Sequence, residues 1–319
     1  MRALSGIQPS GALHIGNYFG AIKQYVELQQ QHEGFYFLAN YHALTSIRDA
    51  QTLREYSLQL ATDLLALGLD PGKSVIFKQS DVPEVTELTW LLSTVTPMGL
   101  LERCHAYKEK VAEGLPADHG LFAYPVLMAA DILIYDSDLV PVGQDQKQHV
   151  EVTRDIAAKF NATYGEVLKL PEALILPELA VVPGLDGRKM SKSYDNTILI
   201  FEEPGALKKK VMSIVTDSTP VEAPKDPDKC NVYALYKLFA TSEEQEEMAQ
   251  RYRAGGLGYG EVKEELGRRI ADFFASYRER RRKLAADPDH VRDVLKAGAQ
   301  RARSEARVVL DRCRQAVGA

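Results

Sequence analysis

The chain has 319 residues, 45% hydrophobic and 26% charged, with a formal charge of −5; this is the balance of a folded protein of about two domains and excludes a long disordered segment. No run of about 18 apolar residues occurs, and the opening MRALSGIQPSG lacks a charged-then-apolar signal pattern, so a cytoplasmic protein with no membrane partner is expected. Cys104, Cys230 and Cys313 stand far apart and the histidines form no HExxH or CxxH pair, so no disulfide framework and no protein-bound metal is expected, although magnesium carried by a nucleotide would leave no such trace.

Residues 2–7 read as a short strand running into the turn Gln8-Pro9-Ser10-Gly11, after which His14 to Gln30 has helical spacing, with Ile15, Phe19, Ile22 and Val26 apolar. The run Phe35 to Ala39 reads as a second strand, about Asp49 to Leu67 as a long amphipathic helix, and Val75-Ile76-Phe77 as a third strand. This alternation predicts an α/β fold with a parallel sheet, right-handed crossovers and ligands at the carboxyl ends of the strands. From Asp81 to Tyr135 the pattern is helical, with breaks near Pro97-Met98-Gly99 and from Gly114 to Gly120, and reads as an insertion. Leu139 to Gly143 looks like a returning strand, followed by a helix from about Gln146 to Phe160. After a Pro-rich stretch and the segment Gly187 to Ser193, everything from about Pro204 onward reads as helical, which sets a domain boundary near residue 195.

Charge is uneven along this plan. Residues 251–319 hold 17 Lys and Arg against 10 Asp and Glu, a surplus of seven, which leaves −12 for residues 1–250. The densest run is Arg278, Arg280, Arg281, Arg282 and Lys283, and Arg301, Arg303, Arg307, Arg312 and Arg314 recur along a second helical stretch. Two readings stand: a solvated helix face, or contact with a phosphate backbone.

Two segments carry the chemistry. In Pro9-Ser10-Gly11-Ala12-Leu13-His14-Ile15-Gly16-Asn17, a helix start offers unpaired N–H groups, Gly11 and Gly16 allow close backbone approach, and His14 and Asn17 add side-chain donors. An ordinary turn followed by helix-start polar residues is the plainer account. In Lys189-Met190-Ser191-Lys192-Ser193, two lysines three apart on a glycine-flanked loop suit a polyphosphate, as point charges on flexible stems; a solvated surface loop would look the same.

Taken together, these segments resemble the class I aminoacyl-tRNA synthetases, which bind ATP between them on a Rossmann-like nucleotide-binding fold. Gly143-Gln144-Asp145-Gln146-Lys147-Gln148-His149, Tyr124-Pro125 with Met128-Ala129-Ala130-Asp131-Ile132-Leu133, and the opening Ser5-Gly6-Ile7-Gln8 are similar to the bacterial tryptophanyl-tRNA synthetase family, in order over nearly the whole chain. The resemblance implies ATP-dependent activation of L-tryptophan to the adenylate and its transfer to tRNA(Trp), releasing AMP and diphosphate. The alternatives are the tyrosine-activating sister family, a non-catalytic tryptophan- and ATP-binding paralogue, and a nucleotidylyltransferase.

By the same resemblance, ATP with Mg2+ would meet Gln8, Pro9, Ser10, His14, Gly16, Asn17, Lys110, Gly143, Gln144, Asp145, Val181 and the loop Lys189, Met190, Ser191, Lys192 and Ser193. Catalysis would rest on Lys189, Lys192, His14 and Asn17, which stabilise charge on the phosphates, with no protein nucleophile. Tryptophan would lie against Leu4, Gly6, His42, Tyr124, Met128, Asp131, Val142 and Gln146. The domains implied are a catalytic domain over 1–195, with a helical insertion and dimer interface at about 81–135 that includes Thr86 to Leu101, and an anticodon-binding helical domain over 196–319 whose final helix could pack back on the first. The assembly expected is a homodimer.

Several residues keep a second reading. A carboxylate inside Val126 to Ile134 is costly unless paired, and an indole N–H, a buried arginine or a helix cap would each serve Asp131. Tyr124, Met128, Val142 and Gln146 taken singly are ordinary core residues, and His42 a satisfied, partly buried histidine. Asp145 suits a helix N-cap as well as ribose hydroxyls, and Lys108 and Lys110 suit a solvated helix face. Leu4 stands where the family has an aromatic residue and Gln144 where it has a glutamate. The segment before the lysine loop is one residue shorter than in the family, which puts the adenine contact at Val181.

Overall fold

A computed structural model describes residues 1–104, 107, 118–143, 147–175 and 182–319. Lys108, Lys110, Gln144, Asp145, Gln146 and Val181 lie outside the described residues. The chain divides into two compact units, one of residues 1–11, 25–177 and 284–319, the other of residues 12–24 and 178–283.

The first unit is built on a five-stranded parallel sheet of β1 (Arg2–Ile7), β2 (Glu33–Leu38), β3 (Ser74–Lys78), β4 (Leu139–Val142) and β5 (Glu172–Ile175), in the order β3-β2-β1-β4-β5. Strand order reverses between β1 and β4, which is where a doubly wound sheet opens a crevice at its carboxyl ends. The register pairs Leu4 with Phe35 and Gly6 with Phe37, and Phe37 in turn with Phe77. Phe35, Phe37 and Phe77 bury their rings on one face against Tyr135 and Val126. The strand β5 is missing from the sequence reading, which has only a Pro-rich stretch there. Four residues between Pro171 and Pro177 make an edge strand, the one place in a sheet where flanking prolines cost no ladder bond.

Around the sheet lie α3 (Asn40–Ala43), α4 (Ala50–Ala66), α5 (Glu84–Ser93), α6 (Met98–Leu101), α7 (His119–Leu133) and α8 (Lys147–Tyr164), which takes the expected helix one turn past Phe160. Asp49 caps α4 by accepting the Thr52 N–H at 2.7 Å. Numbering the helices of this unit to the end of the chain, the last is α14 (Pro288–Val317), whose stripe Val291, Leu295, Gly298, Ala302, Ala306, Val309 and Cys313 is buried. Gly298 sits directly on β3, where an added Cβ would stand 1.9 Å from the Ile76 carbonyl oxygen. Several of the arginines read as possible phosphate contacts hold this helix in place instead. Arg303 and Arg307 both donate to Glu84, Arg312 to Asp136 and Arg314 to Glu87.

The second unit contains α9 (Pro204–Met212), α10 (Asn231–Tyr236), α11 (Ser242–Ala254) and α12 (Tyr259–Phe273), with α13 (Ala275–Ala286) running to its end. Residues 213–226 form a non-helical connection between α9 and α10, longer than the helical pattern from Pro204 onward suggests. The helix expected from His14 to Gln30 is continuous but uneven: α1 (Ile15–Asn17), a π-turn over Tyr18–Ile22 and α2 (Lys23–Leu28). Residues 12–24 join this unit rather than the sheet, unlike a single cut near residue 195. Tyr18 and Phe19 pack edge-on against Phe274 and Phe239, and Ile15 donates to Ile198 O and Ile200 to Leu13 O, both at 3.0 Å.

Candidate functional site

The first cluster forms in the sheet unit, beyond the carboxyl ends of β2 and β3. Tyr124, Met128 and Asp131 recur at i, i+4 and i+7 on α7, so they share one face. Asp131 is 1% exposed. Its Oδ2 lies 2.8 Å from His42 Nε2, and Gln79 Nε2 donates to Oδ1 at 2.9 Å and to Oδ2 at 2.7 Å. The Gln79 amide cannot turn over, because its Oε1 accepts the backbone N–H groups of Tyr41 and His42 at 2.9 and 3.4 Å. Of the partners open to Asp131 from sequence, neither a buried arginine nor a cap is used.

Burial pushes the Asp131 carboxyl above its ordinary range, and the hydrogen bond and charge of His42 pull it back. A carboxylate has about four lone-pair directions, and His42 and Gln79 occupy three, which leaves one on Oδ1 for a further donor. Gln79 is the member of this cluster that sequence reasoning missed. Its signal was position: a polar side chain immediately after the apolar strand Val75 to Lys78, where a parallel sheet presents ligand groups.

Tyr124 Oη lies 3.2 Å from His149 Nε2, with its ring edge-on to His42. A cavity of about 700 Å3 opens beside His42 and Tyr124, with Leu44, Leu121 and Leu127 among its apolar walls. Met128 and Val142 are half-buried against the core. Leu4 is buried, two residues along the same face from Gly6, and the Phe37 ring covers the position a Gly6 Cβ would take, at 2.4 Å. An aromatic ring is thus supplied beside Leu4 from the neighbouring strand. Gln8, Ser10 and Gly143 are exposed at the ends of β1 and β4, the two strands that flank the order reversal, while Pro9 is buried.

The second cluster is in the other unit. His14 caps α1: its Nδ1 accepts the Asn17 N–H at 3.3 Å while Asn17 Oδ1 accepts the His14 N–H at 3.0 Å. Because Nδ1 is an acceptor, the neutral ring carries its proton on Nε2 and presents a donor. Burial and then the charge of Lys192 lower the His14 pKa to about 4. His14 is therefore neutral through the physiological range, and the cationic charge of the site resides on the lysines.

Those lysines sit on a clipped hairpin. Pro183 and Lys189 form an antiparallel bridge, and Met190 donates to Val182 O at 2.9 Å, which turns the Met190 side chain into the interior. Ser191 Oγ caps the short 3-10 turn Lys192–Tyr194, and Lys189, Lys192 and Ser193 are exposed. Asn196, buried, closes the loop: it accepts the Ser191 N–H at 2.8 Å and donates to Asp186 Oδ1 and Lys189 O. Gly184 admits it, since a Cβ there would lie 2.2 Å from Asn196 Nδ2. Gly16 faces Met190 and the His14 ring in the same unit, so the histidine segment and the lysine hairpin are packed side by side. Among the described residues, no group of three or more His, Cys, Asp or Glu is placed to hold a metal ion.

One pH consequence is specific to this geometry. The His14 ring is expected to titrate near 4, and in Lys192→Ala to move up while staying below its ordinary value, because burial, the larger cause, remains; ring-carbon NMR shifts read both, and a wild-type ring titrating near 6.5 would contradict the assignment. Because the unfolded ring protonates at about 6.5 and the folded one only near 4, His14 lowers stability progressively as pH falls from about 6.5 to about 4.

Residues 1–275 match the family described as tRNA synthetases class I (W and Y). Over 318 residues the chain is 58% identical to the tryptophan–tRNA ligase of Fusobacterium nucleatum subsp. nucleatum, covering 99% of this chain and 98% of that protein. The crystal structure of tryptophanyl-tRNA synthetase from Campylobacter jejuni complexed with ADP and tryptophan superposes with a TM-score of 0.94 at 53% identity, each chain fully covered. The enzyme from Mycoplasma pneumoniae gives 0.83 at 31% identity, covering 100% of this chain and 98% of that one.

Proposed function

The chain belongs to the class I tRNA synthetases for tryptophan and tyrosine, and from that premise we propose that it activates L-tryptophan with ATP and transfers it to tRNA(Trp). The observation that carries the choice of tryptophan is 58% identity to a tryptophan–tRNA ligase along the full length of both chains. The open lone-pair direction on Asp131 supports it, because an indole N–H is a donor of the right kind.

In the first step an oxygen of the tryptophan carboxylate attacks the α-phosphorus of ATP. The bond from that phosphorus to the bridging oxygen breaks, and diphosphate leaves. In the second, a terminal ribose hydroxyl of the tRNA attacks the activated carbonyl, loses its proton and displaces AMP. The residues work by holding reactants and stabilising negative charge as it builds on phosphate oxygens. Lys189 and Lys192 supply cations from the hairpin, His14 Nε2–H and the Asn17 amide supply neutral donors, and Mg2+ enters as part of the nucleotide substrate. Gln8, Pro9, Ser10 and Gly143 would receive the nucleoside at the sheet's switch point, with Gln144, Asp145, Val181 and Lys110 completing the contacts. Leu4, Gly6, His42, Tyr124, Met128, Val142 and Gln146 would wall the indole.

We assign residues 1–195 to catalysis and the later helices α9 to α13 to the anticodon, with the final helix α14 packed back on the sheet unit. The basic run on α13 supports the anticodon assignment, although Arg282 and Lys283 each reach Glu279 at 3.6 Å. Trp90 on α5 and Met98 on α6 are exposed large apolar side chains, 69% and 63% accessible, and support a face for a second copy; sedimentation at micromolar concentration is expected to give a dimer, and a monomer would remove that part of the reading. Among the described residues no helix is long and apolar enough to cross a membrane, and a cytoplasmic location fits a tRNA substrate.

Exchange of labelled diphosphate into ATP tests the function directly. It is expected with tryptophan and not with tyrosine at equal concentration. Exchange with tyrosine alone would move the chain to the sister activity, and exchange with neither would leave a binding protein or an enzyme acting on another acid.

A further inference from the structure

A groove of about 1090 Å3 lies in the sheet unit between α4 and α14, outside the clusters described above. Its walls are two helix stripes. Gln51, Arg54, Glu55 and Leu58 face it from α4, and Arg292, Lys296, Ala299, Gln300 and Arg303 from α14, each set at three- or four-residue spacing. Five cations, Arg54, Lys78, Arg292, Lys296 and Arg303, stand against two carboxylates, Glu55 and Asp81. Lys78 is paired with Asp81 at 3.2 Å and Arg303 with Glu84 at 2.9 Å, and Arg292 pairs one turn back with Asp289. Arg54 and Lys296 are exposed, one on each wall. Ser57 and Ala299, both small and buried, keep the floor open between them.

The remaining lining residues matter most. The lining also takes in Asn40, Lys78 and Ser80. Lys78 and Ser80 flank Gln79, and Asn40 is two residues before His42, so the groove is lined by chain neighbours of the two side chains that hold Asp131. Asn40 and Ser80 are tied to each other, with Asn40 Nδ2 donating to Ser80 Oγ at 2.8 Å and the Ser80 N–H to Asn40 Oδ1 at 3.0 Å. A cationic groove lined by chain neighbours of the Asp131 cluster fits a polyanion whose end must be delivered to that cluster. Along α14, Arg292 and Lys296 are spaced by about 6 Å, which lets them follow successive phosphates of one strand.

We propose that this groove holds the phosphodiester backbone of the single-stranded 3′ end of the tRNA, reading charge and not sequence. The proposal rests on the synthetase reading above and adds where the acceptor end runs. The test is the double variant Arg54→Ala, Lys296→Ala in the full chain. The tRNA KM for charging is expected to rise about tenfold, and the slope of log affinity against log salt to flatten by about one to two, since each lost phosphate contact in a single strand removes about 0.7. Tryptophan-dependent diphosphate exchange should stay within about twofold, which also shows that the variant folds. Binding of an acceptor minihelix with its 3′ overhang should weaken by a similar factor, while a blunt-ended minihelix should bind both proteins alike.

If wild type charges tRNA and the variant keeps its KM, salt slope and minihelix affinity, the groove has another role and the proposal is wrong. If wild type shows no tryptophan-dependent exchange, the synthetase reading itself is what fails.

Discussion

Lys192→Ala is expected to slow adenylate formation in a single turnover by about 10²–10³-fold, the cost of removing one preorganised group that meets developing charge, while tryptophan affinity stays within about twofold. The asymmetry follows from where the lysine sits. Lys192 is exposed on a short 3-10 turn of the clipped hairpin, near enough to act on the His14 ring, and the groups around Asp131 belong to the other compact unit. Its ammonium would gain most when charge passes to the leaving diphosphate, so the loss should appear in the rate and much less in ground-state binding. Lys192→Arg should recover only part of the rate, because a planar guanidinium cannot follow the phosphates as a compact ammonium does. Rapid-quench measurement at saturating ATP reads this, and an unchanged rate in the alanine variant would overturn the role.

For Asp131→Ala the expected loss is in tryptophan affinity, on the order of 10²-fold from a charge-assisted hydrogen bond and the partners it leaves behind. His42 and Gln79 would each face a buried space without their acceptor, at about 1–3 kcal/mol of stability apiece, so a lowered melting temperature should accompany the change. A sharper readout separates the indole contact from that structural damage. Wild type should strongly prefer tryptophan over an isosteric amino acid whose indole N–H is replaced by sulfur, since a site built to meet a donor rejects the analogue that lacks it. Asp131→Ala should lose that preference even where both affinities are measurable. Equal binding of the two ligands to wild type would show that Asp131 serves His42 and Gln79 alone.

The sheet was legible wherever strands were apolar and bounded by turns. Leu4, Phe35 to Leu38 and Val75 to Phe77 alternate with helices long enough to cross over, and the structure pairs them in that register. Glu172 to Ile175 was not, because four residues between prolines carry no periodicity to detect and only the neighbouring β4 makes them a strand. The arginines of α14 were ambiguous for a different reason. Their spacing along a helix is visible in the sequence, but Glu84, Glu87 and Asp136 lie more than 170 residues earlier, and no local pattern announces such partners. The allegiance of residues 12–24 was hidden in the same way, in rings at Phe239 and Phe274. Of the candidate site residues, the motif segments stood out by composition and order, whereas Gln79 acquires meaning only when β3 brings it beneath Asp131.

The sheet unit draws its material from widely separated stretches of chain. The first strand is complete within seven residues, yet the helix that covers β3 and anchors Glu84 begins at Pro288. At ~5–20 residues per second of synthesis, the sheet waits on the order of 15 to 60 seconds for its last layer. Until then Val75, Phe77 and Val85, buried in the finished core, lack the surface that α14 supplies. The nascent chain therefore passes through a period in which the helical unit can already close on itself while the sheet is still open on one side. The close seat of Gly298 on the Ile76 backbone is a contact that the sheet gains only when that final helix arrives.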